Sequence, residues 1–202
     1  MIRSVAALTV LLVLAACDSG PPKLAKLPAD GVVLAFGDSL TFGTGARAEA
    51  SYPAVLQQLI GRRVLGAGVP GEVTARGLAR LPGVLEATAP DLLVLIHGGN
   101  DLLQRRPRAD TRANLRAMVR LARERGVAVV LIGVPNLGLI LGRSAGFYQD
   151  LAEELEIPYD GAALPAILQQ PSLKSDAIHP NAQGYRQLAE AVAELLRKSG
   201  AI

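Results

Sequence analysis

Val32-Val33-Leu34-Ala35-Phe36-Gly37-Asp38-Ser39-Leu40 decides how this chain folds. Five apolar residues in a row, halted by a glycine, predict a strand buried on both faces, since a half-exposed strand would alternate polar and apolar positions. Asp38 and Ser39 then fall just beyond the strand's carboxyl end. The pattern recurs. Arg63-Val64-Leu65 predicts a second strand, Leu92-Leu93-Val94-Leu95-Ile96 a third, residues 127–132 a fourth and Ile157-Pro158-Tyr159 a short edge strand. Helical periodicity fills the gaps. Ser51 is placed to cap a helix presenting Tyr52, Val55, Leu56, Leu59 and Ile60, closed by Gly61. Residues 72–88 read as helical with a break at Pro82-Gly83. Asp110 or Thr111 caps a helix burying Leu115, Met118, Val119 and Ala122, closed by Gly126, and residues 147–156 form another. Asn181 caps the last helix, with Tyr185, Leu188, Ala189, Val192, Leu195 and Leu196 inward. Apolar strands separated by amphipathic helices predict an α/β fold whose parallel sheet is covered on both faces. Ligands of such folds bind at the carboxyl ends of the strands.

Composition narrows the chemistry. The chain has 202 residues, 50% hydrophobic and 19% charged, which suits one domain and excludes a disordered chain. Its formal charge of +3 comes from nearly matched basic and acidic residues, so no nucleic-acid partner is expected. One cysteine excludes a disulfide within the chain, and two histidines make a Cys/His zinc site close to impossible. No metal or organic cofactor is expected. Seven aromatic residues without tryptophan give little support to a sugar-stacking platform.

The amino terminus reads as a targeting segment. Arg3 is followed by an almost wholly apolar stretch, residues 5–16, too short for the roughly 20 residues a membrane-spanning helix needs. Leu14-Ala15-Ala16-Cys17 resembles a bacterial lipobox, which implies cleavage before Cys17 and lipidation of its thiol. An ordinary secretory signal is disfavoured because the only cysteine sits where the anchor chemistry needs it. The expected organisation is a lipoprotein signal at 1–16, a lipidated residue and proline-stiffened tether at 17–30, and one folded domain at 31–202. Several acyl chains on Cys17 would hold the protein at a membrane of the bacterial cell envelope, facing the periplasm or cell exterior. Which membrane is left open, and a monomer is expected.

Beyond the strand ends lie Gly37-Asp38-Ser39-Leu40, then Gly71, then Gly98-Gly99-Asn100-Asp101, and before the last helix Asp176-Ala177-Ile178-His179. A serine is a weak nucleophile until a base takes its proton and a third group orients that base. His179 is the better base candidate, with Asp176 three residues earlier, close enough to bond its other ring nitrogen across a turn. Acyl transfer also needs donors aimed at a developing oxyanion. The N–H groups of Ser39 and Gly71 and the side-chain amide of Asn100 are the candidates. Asp38, Leu40, His97 and Ile178 are candidate pocket residues, although His97, ending a buried strand, is better read as a structural histidine.

Together these blocks resemble the SGNH (GDSL) hydrolase family. Ser39 falls in GDSL, Gly71 in GVPGEVT, Asn100 in GGND and His179 in DAIHP. The likeness runs over residues 32–196. GLARLP (residues 77–82) and HPNAQGY (179–185) are similar to the thioesterase I/arylesterase branch. That resemblance implies a flavodoxin-like three-layer α/β/α sandwich with a five-stranded parallel sheet. It also implies cleavage of esters and thioesters through an acyl-serine, with Asp176 as the orienting acid. Gly68-Val69-Pro70 ahead of Gly71, and His97 ahead of GGND, depart from the branch pattern and bear on pocket polarity.

Competing signals are weaker. Ser39 lies outside any G-x-S-x-G elbow, which argues against the ordinary α/β-hydrolase fold. Gly66-Ala67-Gly68-Val69-Pro70-Gly71 matches G-x-G-x-x-G, but it follows the second strand and Glu72 would oppose a pyrophosphate. Arg112, Arg116, Arg120 and Arg123, with Arg105, Arg106 and Arg108 nearby, form a stripe read as a solvated face. Against anionic headgroups each such cation would contribute about 1 kcal/mol. The expected substrate is a short or medium acyl ester or a lysophospholipid, because an exported enzyme rarely meets acyl-CoA. O-acetyl removal from a cell-wall or other sugar is the alternative, and a lipid-tethered binding module without turnover is the alternative of another class.

Overall fold

In the computed structural model, residues 20–135 and 144–202 are described; the expected signal segment and Cys17 lie outside them. The elements, in chain order, are β1 (Val32–Gly37), α1 (Ser39–Phe42), α2 (Tyr52–Ile60), β2 (Arg63–Gly68), α3 (Thr74–Thr88) and β3 (Leu92–Ile96). There follow α4 (Gly99–Leu103), α5 (Arg108–Arg123), β4 (Ala128–Ile132), α6 (Phe147–Glu154), β5 (Tyr159–Asp160), α7 (Ala163–Gln169) and α8 (Ala182–Lys198). The five strands are parallel in the order β2-β1-β3-β4-β5, a flavodoxin-like doubly wound sheet. Phe36 of β1 stands beside Ala67 of β2 and Leu95 of β3. α2 packs with α8, and α3 with α5 and then α6, giving the two outer layers of an α/β/α sandwich.

Burial explains the apolar strands. Every residue of β3 is fully buried, as are Val33, Leu34, Ala35 and Phe36 of β1. Each such Val, Leu, Ile or Phe side chain contributes about 1.5–3 kcal/mol relative to exposure. The inward face expected for the last helix, from Tyr185 to Leu196, is buried throughout. Because the chain leaves β1 for β2 on one side and returns through β3 on the other, the order reverses beside β1. The carboxyl ends of β1 and β3 therefore flank the crevice where a ligand fits.

Local expectations shift where tertiary contacts override them. α3 is not broken at Pro82-Gly83; it runs through Pro82, with Leu81 and Leu85 buried on either side to hold it. It begins at Thr74, not at Glu72, because the Thr74 N–H is capped by Asp101 from beyond β3 at 2.8 Å. α5 starts at Arg108 behind Pro107, so neither Asp110 nor Thr111 caps it, and Thr111 is buried within its first turns. Ser51 precedes α2 but turns its hydroxyl back onto the Ala48 carbonyl at 2.7 Å. β2 extends to Gly68, and β5 falls at Tyr159–Asp160 rather than at 157–159. The short helices α1, α4 and α7 have too few residues for a periodicity.

The stretch expected as a tether docks in its second half. The Leu24 and Leu27 N–H groups donate to the carbonyls of Ser199 and Ala201, both at 2.8 Å, and Leu27 is 5% exposed within the core. Arg62 Nε adds a 2.8 Å bond to the Pro28 carbonyl. The folded unit thus reaches back past Gly31, because Leu24 and Leu27 supply apolar surface that the prolines around them obscure.

Candidate active site

Ser39 opens α1 directly after β1. The turn is tight: a Cβ on Gly37 would lie 1.9 Å from the Ile96 carbonyl oxygen of the neighbouring strand. Asp38 caps α1 by accepting the Leu40 N–H at 3.1 Å. Its carboxyl is 1% exposed, and burial pushes its pKa up to about 7 against the Leu40 bond and the nearby His179 charge.

His179 reaches the serine from 140 positions away: its Nε2 lies 2.9 Å from Ser39 Oγ. Its Nδ1 lies 2.7 Å from Asp176 Oδ2, while Asp176 Oδ1 accepts the N–H groups of Ile178 and His179 at 2.8 and 2.9 Å. Both carboxylate oxygens are thereby fixed, and the spacing of three residues closes into one turn. Partial burial raises the Asp176 pKa, but these hydrogen bonds outweigh it and hold the carboxyl below its ordinary range. The turn is anchored in turn. The Ser175 N–H donates to the His179 carbonyl at 3.0 Å, and the Tyr185 hydroxyl of α8 donates to the Thr44 carbonyl at 2.8 Å, just past α1. With the ring proton on Nδ1 facing Asp176, Nε2 is free to accept from Ser39.

The opposite wall comes from the end of β3, which is tied to the turn after β2. Asn100 Nδ2 donates to the Glu72 carbonyl at 3.0 Å, which fixes the amide's orientation, since that oxygen can only accept. The second amide hydrogen remains for the cleft that Asn100 lines beside Ser39 and His179. Gly71 takes φ 75°, and neither its N–H nor that of Ser39 makes a hydrogen bond among the described residues. Asp101 ties the two blocks together by accepting the Thr74 N–H at 2.8 Å and its hydroxyl at 2.6 Å.

Asp38, Leu40 and Ile178 line the cleft, together with Gly99, Leu103, Val134, Pro135 and Leu168, so its walls are largely apolar. Gly71 is not among the lining residues, and His97 is not a pocket residue. His97 is fully buried under the site; its Nδ1 accepts the Gly98 N–H at 2.9 Å and its Nε2 lies 3.4 Å from Glu72 Oε2. Burial pushes its pKa down against the neighbouring carboxylates. α3 makes room for the ring at Gly77, where a Cβ would stand 2.3 Å from Nε2. The residues that sequence reasoning missed are Leu103, Val134, Pro135 and Leu168 in the cleft and the Glu72–Arg80 pair beneath it. Arg80 carried one signal: it lies three positions after the inward Gly77 and next to the inward Leu81.

A hydroxyl, an imidazole and a carboxylate in sequence, beside a fixed amide in the same cleft, can carry acyl transfer. The profile of the GDSL-like Lipase/Acylhydrolase family matches residues 35–187. The chain belongs to that family. It is 30% identical over 176 residues to an arylesterase of Vibrio mimicus, covering 82% of this chain and 88% of that one. It is also 30% identical over 187 residues to "Esterase TesA" of Pseudomonas aeruginosa, covering 86% and 92%. A crystal structure titled TesA superposes with a TM-score of 0.72 at 28% identity, covering 82% of this chain and 98% of that chain. This family member is a GDSL-type ester hydrolase, and the SGNH resemblance holds in both sequence and fold.

Proposed function

We propose that this protein is a lipid-anchored serine esterase of the bacterial envelope that cleaves short or medium acyl esters or lysophospholipids. Ser39 Oγ attacks the acyl carbonyl as His179 Nε2 takes its proton, and Asp176 stabilises the imidazolium that results. The tetrahedral oxyanion is held by the N–H groups of Ser39 and Gly71 and by the Asn100 amide. His179 then protonates the departing alcohol, leaving an acyl-serine. Water, deprotonated by the same ring, attacks that ester and releases the acid. The observation carrying this reading is the continuous chain Ser39–His179–Asp176 at 2.9 and 2.7 Å.

Apolar cleft walls at Leu40, Leu103, Val134, Leu168 and Ile178 suit an acyl chain. The lipobox at Cys17 supports export, away from acyl-CoA. Hydrolysis of p-nitrophenyl esters from acetate to decanoate, with lysophosphatidylcholine alongside, tests the substrate class. Turnover that persists beyond acetate is expected. Activity confined to acetate would replace this reading with O-acetyl removal from sugars, and no turnover of any ester would favour a binding module.

A further inference from the structure

We infer that Arg80 and Glu72 are positioning residues for the oxyanion side of the cleft, acting through the Asn100 side-chain amide. The inference rests on the esterase reading of that cleft. Gly71 gives the turn after β2 no packing of its own: nothing lies within 4 Å of where its Cβ would be. The turn is secured one residue on, where Arg80 grips the Glu72 carboxylate with two bonds, Nε to Oε1 at 3.0 Å and a terminal nitrogen to Oε2 at 2.7 Å. Partial burial raises the Glu72 pKa, but the guanidinium outweighs it and keeps the carboxylate ionised below its ordinary range.

The same Arg80 nitrogen donates to the carbonyls of Ala67 at 3.2 Å and Gly37 at 3.4 Å, and the guanidinium lies 4.1 Å from the Phe36 ring centroid. Gly37 and Phe36 end β1, the strand that delivers Ser39; Ala67 belongs to β2. One side chain therefore ties both strand ends to Glu72, and the Glu72 carbonyl orients Asn100 at 3.0 Å. A planar fork with several donors suits this work, whereas a lysine offers only a point charge. His97 Nε2, 3.4 Å from Glu72 Oε2, closes the far side of the carboxylate. Releasing the clamp lets the Glu72 carbonyl turn away, and the Asn100 amide loses its fixed direction toward a developing oxyanion.

The test is a double-mutant cycle on the full chain with p-nitrophenyl butyrate. Arg80→Met should lower kcat about tenfold to a hundredfold with KM within about twofold, and Glu72→Gln should behave alike. In the Asn100→Ala background the same substitutions should cost less than about twofold further, because the group they act through is gone. Equal losses with and without Asn100 would overturn the inference. Arg80→Lys serves where Arg80→Met does not fold, and it should restore little. The Asn100 side-chain amide pair in a 15N–1H spectrum, assigned by its loss in Asn100→Ala, gives a readout independent of turnover. It should move or broaden in the Arg80 variants; an unchanged pair would overturn the clamp. A wild-type chain that hydrolyses no ester would sink the esterase reading, while this spectrum still decides the clamp.

Discussion

The two sides of the Ser39 hydroxyl are built in opposite ways. The base side is one short turn: Asp176 and His179 are three residues apart, bonded side chain to side chain and side chain to backbone, with Asp176 half exposed. The oxyanion side is a largely buried lattice drawn from β1, β2, α3 and α4, in which Glu72, Arg80, Thr74, Asp101 and Asn100 satisfy one another. A local turn re-forms by itself after small disturbances. A lattice spread over four elements stands only when the sheet does, and in a low-dielectric interior each unmet partner is costly. The difference separates what moves protons from what stays fixed while charge develops.

Removing either side should show this asymmetry. Ser39→Ala and His179→Ala should each lower kcat by about 10⁴-fold or more, with little change in thermal midpoint, because the turn carries no core. Asn100→Ala should cost about 10²–10³-fold in kcat. If it instead left kcat unchanged and raised KM, the amide would serve binding and not the oxyanion.

Stability probes sharpen the same contrast. Leu27→Ala should cost about 2 kcal/mol in urea unfolding, near the low end for buried leucines, whereas a free tether would register nothing. Gly77→Ala offers a test of sign. Helix propensity alone would stabilise it by about 1 kcal/mol, but a Cβ 2.3 Å from His97 Nε2 makes it destabilising, lowering the thermal midpoint.

The smallest effect concerns pH. Burial raises the Asp38 carboxyl from 3.8 to about 7, so the folded chain keeps a proton there that the unfolded chain has lost. Stability from this group is full below about pH 4 and declines as pH rises through about 7. Asp38→Asn should flatten that decline while an amide oxygen still accepts the Leu40 N–H; an unchanged slope would place the proton elsewhere.

The same contrast explains what could be read from the sequence. Continuous apolar runs specify buried parallel strands, and Asp176-x-x-His179 has a spacing that closes on itself, so the sheet and the base side were legible. The lattice was not. Thr74 and Asp101 are 27 positions apart, and Glu72 faces Arg80 only because β2 and α3 turn it inward. Glu72 read simply as a charge opposing phosphate, and Arg80 only as part of the GLARLP likeness. His97 read as a structural group that could line the pocket; packing against α3 at Gly77 puts it beneath the pocket instead. The arginine stripe was also only half legible, since Arg112 and Arg116 both bond Glu154 from α6. Solvent screening leaves such a surface cluster little weight in stability, and its cations are less available to headgroups than the sequence suggests.

Everything turns on whether the Ser39 hydroxyl is the activated group. Fluorophosphonate treatment of the full chain, followed by peptide mass mapping, addresses it directly. One adduct is expected, on the peptide containing Ser39, abolished by Ser39→Ala and strongly slowed by His179→Ala. An adduct on another residue, or labelling that ignores His179, would contradict it.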